Sequence, residues 1–176
     1  MNVAIVGATG YGGIQAVNLL KNNKNYKISY LGGNKSSGSK WNDNFPFIYL
    51  DYDPFIEKIS VDNISNKADI ALLCLPNGIS STLTRGLLDK GVKVIDLSAD
   101  YRYKSLEEWK KVYTREASIY KRNDDDLCKD AIYGLPEINK DEISKGRLIA
   151  CPGCYPTSSL IPVSYTHLTL PTICSV

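Results

Sequence analysis

The sequence lacks an excess of charge of either sign and lacks an N-terminal leader. Its 21 basic and 19 acidic residues leave a net charge of +2 over 176 residues, which gives no indication of a nucleic-acid partner. The first residues, MNVAIV, enter an apolar segment without the basic stretch and cleavage site that mark secretion. The content of 43% hydrophobic and 23% charged residues is ordinary for a globular domain. We therefore expect a cytoplasmic protein that binds neither nucleic acid nor membrane.

Histidine is nearly absent, and the cysteines do not form a disulfide pattern. Five cysteines are an odd number in a chain without a secretion signal, so we expect free thiols. Cys151 and Cys154 form a CxxC pair, which in isolation indicates either a redox pair or half of a zinc site. The single histidine is His167, so a tetrahedral zinc site lacks ligands and we predict no metal. The cysteines are Cys74, Cys128, Cys151, Cys154 and Cys174.

Charged residues are also missing from the end of the chain. Residues 148–176 contain no Asp, Glu, Lys or Arg, which makes a membrane span one interpretation. Prolines and many hydroxyl residues interrupt this stretch, so it does not form an apolar helix of about 20 residues. The prolines are Pro152, Pro156, Pro162 and Pro171. We therefore expect no membrane span.

Apolar segments with strand and helix periodicity alternate along the chain. The predicted strands cover residues 3–6, 26–31, 68–75, 92–97 and 147–150. The predicted helices cover residues 14–20, 80–90, 107–113 and 139–146. Residues 121–130, with their acidic run at 124–126, are predicted to form an exposed loop. This alternation predicts an α/β fold, a doubly wound Rossmann-type parallel sheet over residues 1–150.

A glycine turn lies between the first predicted strand and the first predicted helix. Its sequence is GATGYGG, with Gly7, Gly10 and Gly13 at a spacing of three residues. In this setting backbone N–H groups and a helix N-terminus bind the pyrophosphate of a dinucleotide. A tight structural turn is the alternative. The candidate cofactor-binding residues of the turn are Gly7, Thr9, Gly10, Tyr11, Gly12 and Gly13.

No acidic residue follows the second predicted strand, where an NAD-binding domain usually has one for the ribose hydroxyls. The segment after that strand, GGNKSSG, instead contains Lys35, Ser36 and Ser37. A lysine charge and two hydroxyl donors suit a 2′-phosphate, although a flexible polar loop would have the same composition. We therefore predict NADP as the cofactor.

Cys154 has the setting of a catalytic nucleophile. A helix that begins near this residue, with Pro156 in its first turn, places the thiol at the positive end of the helix dipole, where the thiolate form is favoured. An activated thiol after a dinucleotide-binding domain indicates covalent acyl chemistry, in which a thiolate attacks an activated carbonyl and hydride from the nicotinamide reduces the thioester. A buried structural thiol and a redox pair with Cys151 are the alternatives.

Four short motifs occur together in a fixed order. They are GATGYGG at 7–13, LSADYR at 97–102, YGLPE at 133–137 and PGCYPT at 152–157. The motifs resemble the N-acetyl-gamma-glutamyl-phosphate reductase family of arginine biosynthesis over residues 1–162, although Cys151 stands where that family often has asparagine. The resemblance implies NADPH-dependent reduction of an acyl-phosphate substrate to a semialdehyde, with release of phosphate and with Cys154 as the nucleophile. Aspartate-semialdehyde dehydrogenase has the same architecture and thiol chemistry, but it matches the last two motifs less well.

The resemblance also implies roles for five residues outside the glycine turn. Pro76 and Asn77 look like the loop beside the nicotinamide, with Asn77 in place of a common family histidine. Ser98, Arg102 and Glu137 look like contacts or close neighbours of the anionic substrate. Without the motifs, Arg102 and Glu137 would be interpreted as ordinary surface charges.

The resemblance implies a protein about twice this length, with a catalytic second half. We therefore expect residues 1–150 to be an NADP-binding domain, residues 151–162 to begin a catalytic α+β domain, and residues 163–176 to be a tail that is not native. That tail looks like translated sequencing-adapter sequence, so its His167 is not assigned as the catalytic acid or base. We expect the full-length protein to form a homo-oligomer and this chain to be inactive by itself. A non-catalytic NADP-binding module is the alternative from another functional class.

Overall fold

The computed structural model describes residues 1–169, with side chains described as far as Val163, so most of the expected tail, including the side chain of His167, lies outside the described part. The strands are β1 (Asn2–Val6), β2 (Lys27–Gly32), β3 (Ile70–Leu73), β4 (Lys93–Asp96), β5 (Ile132–Tyr133) and β6 (Leu148–Ala150). The helices are α1 (Tyr11–Leu20), α2 (Trp41–Asn44), α3 (Val61–Ser65), α4 (Ser80–Asp89), α5 (Leu106–Val112), α6 (Thr114–Ile119), α7 (Asp125–Asp130), α8 (Pro136–Lys145) and α9 (Cys154–Thr169). Within residues 1–169, no helix is long and apolar enough to cross a membrane.

The strands form one parallel sheet in the order β2-β1-β3-β4-β6-β5. Short runs of valine, isoleucine, leucine and alanine form the central strands, because such strands are covered on both faces in parallel sheets. Helix α1 connects β1 to β2, and α4 connects β3 to β4, as parallel crossovers require. The expected doubly wound α/β sheet is confirmed.

Helices α1 and α4 pack on opposite faces of this sheet. On one face Ala16 and Val17 of α1 share a core with Val3 and Ile5. On the other face Leu87 of α4 belongs to a separate core with alternate strand residues. The chain therefore reverses direction across the sheet between β1 and β3, and in open α/β sheets such a switch point opens a crevice at the carboxyl ends of the strands.

All six strands end in the same row, because Gly32 of β2 pairs with Val6 and Tyr133 of β5 pairs with Ala150. The register pairs Val6 with Leu73, Leu73 with Asp96, and Asp96 with Ala150. The loops that leave these strands therefore start side by side along one edge of the sheet, which we call the carboxyl edge. This edge carries most of the residues that the sequence motifs select.

An apolar groove runs along the α1 face of the sheet. Leu72, Ile95 and Leu97 are only half-buried there, whereas strand side chains on the other face, such as Val94, are fully buried. The groove has a volume of about 700 Å³. Thus one face of the sheet is covered less completely than the other by the described residues.

The prediction that residues 121–130 form an exposed loop is wrong. Arg122 and Asp124 are buried, with 8% and 5% of their surfaces exposed, and they form an ion pair with 3.0 Å between Nη2 and Oδ2. The guanidinium lies 4.5 Å from the ring centre of Trp109 and 5.0 Å from that of Tyr101. Helix α7 follows directly. A charge run is usually solvated, but here its first member, Asp124, is buried in an ion pair with Arg122, whose guanidinium lies over two aromatic rings.

The region before β6 differs from the prediction in two details. Helix α8 begins at Pro136 and is kinked at Asn139, whose side-chain amide donates to the Tyr133 carbonyl oxygen at 2.9 Å. The strand β5 was not predicted, because two residues are too short to show periodicity. It pairs with β6 and extends the sheet beyond it.

We predict that Arg122→Leu lowers the free energy of unfolding by about 3 to 5 kcal/mol, because it leaves a buried carboxylate without its cation. Urea denaturation monitored by tryptophan fluorescence measures the change. The matched control is Lys121→Leu, which removes a neighbouring exposed charge and is expected to change stability by about 0.5 kcal/mol or less. Equal losses in the two variants would contradict the structural role of the buried pair.

Candidate active site

The glycine turn after β1 is shaped by close backbone contacts. Gly7 has φ of +83°, and a Cβ atom there would overlap the carbonyl oxygen of Cys74 at the end of β3. A Cβ atom on Gly13 would overlap the carbonyl oxygen of Gly7. Two of the three spaced glycines are therefore required by packing, since they let α1 start directly against the end of β1.

Gly10 is different, because nothing in the described structure requires a glycine there. A Cβ atom would lie 3.5 Å from the Gly7 carbonyl oxygen, which is an ordinary contact, and the residue is exposed. It is the N-terminal capping residue of α1, so the N–H groups of Tyr11, Gly12 and Gly13 lack intrahelical acceptors. An open backbone beside free N–H groups suits the close approach of a pyrophosphate. Thr9 is half-buried in the same turn, and the Tyr11 side chain is 94% exposed.

Lys35, Ser36 and Ser37 form a turn just beyond the end of β2. Lys35 and Ser37 are exposed, and Ser36 is half-buried with its carbonyl oxygen accepting from Ser39. The backbone of Glu57 bonds to Gly33 and so brings one acidic residue to this end of β2, which the sequence did not reveal. The Glu57 carboxylate is paired with Lys67 at 2.7 Å. Lys35 and Ser37 are therefore the exposed members of this turn, and the Glu57 carboxylate beside it already has a cationic partner.

The loop between β3 and α4 is attached to the loop that follows β4. Asn77 accepts a hydrogen bond from the Ala99 N–H at 2.9 Å, while Pro76 is exposed beside it. The Asp100 carboxylate accepts from the N–H groups of Gly78 and Ser81. The sequence motifs pointed to Pro76 and Asn77, but Asp100 was not singled out as a site residue.

Ser98 lies just after the end of β4, on the carboxyl edge of the sheet. It is buried, its hydroxyl donates to Asp96 at 2.7 Å, and the same oxygen accepts from the Asp100 N–H at 3.1 Å. The Ser98 hydroxyl thus already has hydrogen-bond partners within the loop. Ser98 therefore braces the end of β4, and its place near an anionic substrate stays a prediction.

Arg102 connects the loop after β4 to the segment that carries the candidate nucleophile. Its Nε–H donates to the Cys151 carbonyl oxygen at 2.8 Å, and Nη2 donates to the Leu97 carbonyl oxygen at 3.0 Å. Its other terminal nitrogen, Nη1, lies beside Gly153, 3.2 Å from the position a Cβ atom would take there. A guanidinium has five N–H donors, so donors remain for an anion after these two bonds.

Cys154 is exposed at the first residue of α9, as the sequence predicts. The Gly153 carbonyl oxygen accepts from both the N–H and the hydroxyl of Thr157, which fixes the start of the helix. Cys154 and Arg102 line one open cavity of about 510 Å³. Its other lining residues are Tyr103, Tyr113, Tyr133, Gly153, Tyr155 and Pro156. The structure therefore brings the candidate nucleophile and a cation into one cavity with several tyrosines.

The two cysteines of the CxxC pair have unlike surroundings. Burial raises the pKa of the Cys151 thiol to about 11, and the nearby Asp96 charge acts in the same direction. Burial likewise raises the pKa of Cys74 to about 12. Cys151 therefore holds its proton at neutral pH, whereas Cys154 is open to solvent, so the pair lacks the matched exposure of a dithiol redox site.

Glu137 is not brought into this cavity. It lies exposed in the first turn of α8, and the described lining of the Cys154 cavity does not include it. Of the YGLPE motif, it is Tyr133 that reaches the cavity. The expectation that Glu137 is an active-site neighbour stays a prediction.

We predict that the buried Asp96 carboxyl lowers stability as pH rises. Burial, partly offset by hydrogen bonds from Ser98, raises the pKa of Asp96 to about 6, so the folded state holds this proton more tightly than the unfolded chain does. Its stabilising contribution is complete below about pH 4 and is lost as pH rises through 6, a loss of about 3 kcal/mol by pH 7. Urea denaturation of wild type and Asp96→Asn at pH 4 and pH 7 should show the variant gaining this amount relative to wild type. A stability difference between the two that does not change with pH would contradict the assignment.

Comparison with known proteins agrees with this geometry. Residues 2–146 match the family described as semialdehyde dehydrogenase, NAD binding domain. An N-acetyl-gamma-glutamyl-phosphate reductase of Prochlorococcus marinus (strain MIT 9301) is 85% identical over 164 residues, which cover 93% of this chain and 47% of that protein. The reductase of Prochlorococcus marinus (strain MIT 9211) is 51% identical over 161 residues, covering 92% of this chain and 45% of that protein. The chain spans about half the length of these curated relatives.

A solved structure gives independent support for the fold. Aspartate semialdehyde dehydrogenase with NADP from Candida albicans aligns with a TM-score of 0.65 at 14% identity, covering 97% of this chain and 48% of that one. The resemblance inferred from the four motifs is confirmed by the curated relatives, and the dinucleotide-binding fold by the family match. The chain therefore belongs to the semialdehyde dehydrogenase family and contains its NAD-binding domain.

Proposed function

We propose that this chain is part of an NADPH-dependent acyl-phosphate reductase that converts N-acetyl-gamma-glutamyl phosphate to the semialdehyde with release of phosphate, in arginine biosynthesis. The observation that carries the proposal is the shared cavity of Cys154 and Arg102 at the carboxyl edge of the sheet. That edge also carries the glycine turn, so the loop that would bind a dinucleotide and the segment that carries the thiol start from the same edge of the sheet. The reductase names of the curated relatives support the same reaction.

In this proposal Cys154 is the catalytic nucleophile and Arg102 binds the anionic substrate. The thiolate attacks the acyl carbonyl, the carbon–oxygen bond to phosphate breaks, and phosphate leaves as the thioester forms on Sγ. The remaining donors of Arg102 suit the negative charge of the phosphate group. Exposure of Cys154 at the first residue of α9 supports its role, because an attacking thiol must be open to the substrate.

We propose that the cofactor is NADP, held by the glycine turn with the nicotinamide toward Pro76 and Asn77. The open Gly10 and the N–H groups at the start of α1 suit the pyrophosphate, and Lys35 with Ser36 and Ser37 suits a 2′-phosphate. When bound, NADPH supplies the hydride that reduces the thioester. The chain's residues hold and orient the two reactants.

The whole reductase needs more than the described residues. We propose that residues 151–162 begin a catalytic second domain and that residues 163–176 are not native, so this chain alone is inactive as a reductase. A thioester route needs an acid or base beside the reacting carbon, and no described residue is assigned to that role. The half-buried groove beside α1 supports an absent second half that covers it, because soluble monomers seldom expose such a surface. We propose that the complete protein forms a homo-oligomer. The free thiols of Cys74, Cys128, Cys151 and Cys154 support a cytoplasmic location for the protein.

We predict that the chain binds NADPH more tightly than NADH, because the charge of Lys35 and the hydroxyls of Ser36 and Ser37 suit a 2′-phosphate. Lys35→Ala should weaken NADPH binding by about 1 to 2 kcal/mol and leave NADH binding nearly unchanged. Fluorescence titration with both cofactors measures the difference. Lys24→Ala, an exposed lysine in the turn before β2, is the matched control and should change neither affinity. NADH binding as tight as NADPH binding in the wild type would refute the cofactor assignment.

We predict that the two cysteines of the CxxC pair contribute unequally to the reaction. In a full-length protein, Cys154→Ser should abolish phosphate-dependent NADPH formation from the semialdehyde, because the thioester cannot form. Cys151→Ser should keep most of the activity, since that thiol is buried and protonated. Similar losses in both variants, or a requirement for a reversible disulfide, would favour dithiol chemistry instead.

A further inference from the structure

We propose that Asp100 is a positioning residue that fastens the loop between β3 and α4 to the carboxyl edge of the sheet. This inference rests on the proposed function, in which that loop lies beside the nicotinamide. Asp100 is fully buried and belongs to the loop that follows β4. Asp100 thus lies in one loop and holds the neighbouring loop by hydrogen bonds.

The carboxylate of Asp100 uses both of its oxygens on the neighbouring loop. Oδ1 accepts from the Gly78 N–H at 2.6 Å, and Oδ2 accepts from the Ser81 N–H at 3.0 Å. Ser81 lies in the first turn of α4, where N–H groups have no intrahelical acceptor. A carboxylate at this helix start is favoured by the free N–H groups and by the helix dipole. Asp100 therefore binds the loop and the start of the helix together.

The Gly78 backbone has the shape that this contact needs. Gly78 has φ of +83°, and a Cβ atom there would overlap the ring of Tyr120. The loop is thus held between the Asp100 carboxylate and an aromatic ring. The bond from Ala99 to Asn77 fastens the same loop at a second point, one residue from Gly78.

A buried arginine holds Asp100 in turn. Arg122 Nη1 donates to the Asp100 backbone oxygen at 2.7 Å and lies 3.9 Å from its Oδ1. The same guanidinium pairs with Asp124, which also accepts from the Tyr101 hydroxyl at 2.7 Å. The contact between Asp100 and the loop is therefore backed by a closed polar network rather than by solvent.

Only an aspartate fits the two donors at this position. An asparagine offers one oxygen, and its NH2 group would face one of the two N–H donors. Asp100→Asn should therefore release the loop on one side while keeping the size of the side chain. Because the loop faces the nicotinamide end of the proposed site, the adenosine end should be affected much less.

The test uses the 176-residue chain and two probes that differ in the nicotinamide half. Binding of NADPH and of adenosine 2′,5′-bisphosphate is measured by titration for wild type and Asp100→Asn, together with amide hydrogen exchange. We expect NADPH affinity to fall by about tenfold, affinity for the bisphosphate to change by less than about twofold, and the amides of Gly78 and Ser81 to exchange faster. Asp125→Asn is the matched control, since Asp125 also accepts a backbone N–H, that of Leu106, away from this loop.

Two results would overturn the proposal. One is an equal loss of affinity for both probes, which is expected if Asp100 only stabilises the fold. The other is unprotected Gly78 and Ser81 amides in the wild-type chain, a measurement that decides the matter even if Asp100→Asn does not fold. If the wild type binds neither probe, the proposed function fails for this chain, and the exchange of these two amides alone decides whether Asp100 fastens the loop.

Discussion

The common end of four parallel strands is the constraint on which the candidate site depends. Because Val6, Leu73, Asp96 and Ala150 are paired in register, the next residue of each strand begins a loop in the same row. Parallel pairing aligns the strands through evenly spaced backbone bonds, so a change in the register of one strand would move its loop relative to the others. The positions of the glycine turn, the loop between β3 and α4, the loop of Arg102 and the segment of Cys154 all follow from this alignment.

The loops at that edge are joined by buried polar groups rather than by apolar packing. Asp96, Ser98 and Asp100 satisfy one another and the backbone N–H groups of the neighbouring loop. Such groups are costly to bury without partners, but a fully bonded network specifies one arrangement of the loops. Arg122 supplies the positive charge that this acidic cluster needs, with its guanidinium enclosed between two aromatic rings.

The two cysteines of the CxxC pair differ in exposure because of their positions within one short segment. Cys151 is adjacent to the last strand, where burial and the charge of Asp96 keep its thiol protonated. Three residues later Cys154 is at the solvent-exposed start of α9, in the cavity of Arg102. Arg102 connects the two positions, because it donates to the Cys151 carbonyl oxygen and so fixes the segment that leads to Cys154.

The sequence by itself determined the features that depend on local geometry. Three features were predicted correctly because each depends on backbone sterics or burial within a few residues. They are the spacing of Gly7 and Gly13, the apolar runs of the central strands, and the helix start at Cys154. Only the tertiary structure decided the rest. It buried Asp124 beside Arg122, turned Ser98 inward to Asp96, left Glu137 exposed, and joined Asp100 to Gly78 across 22 residues. These outcomes depend on which loops become neighbours at the carboxyl edge, and strand order and register set that arrangement without leaving a local signal in the sequence.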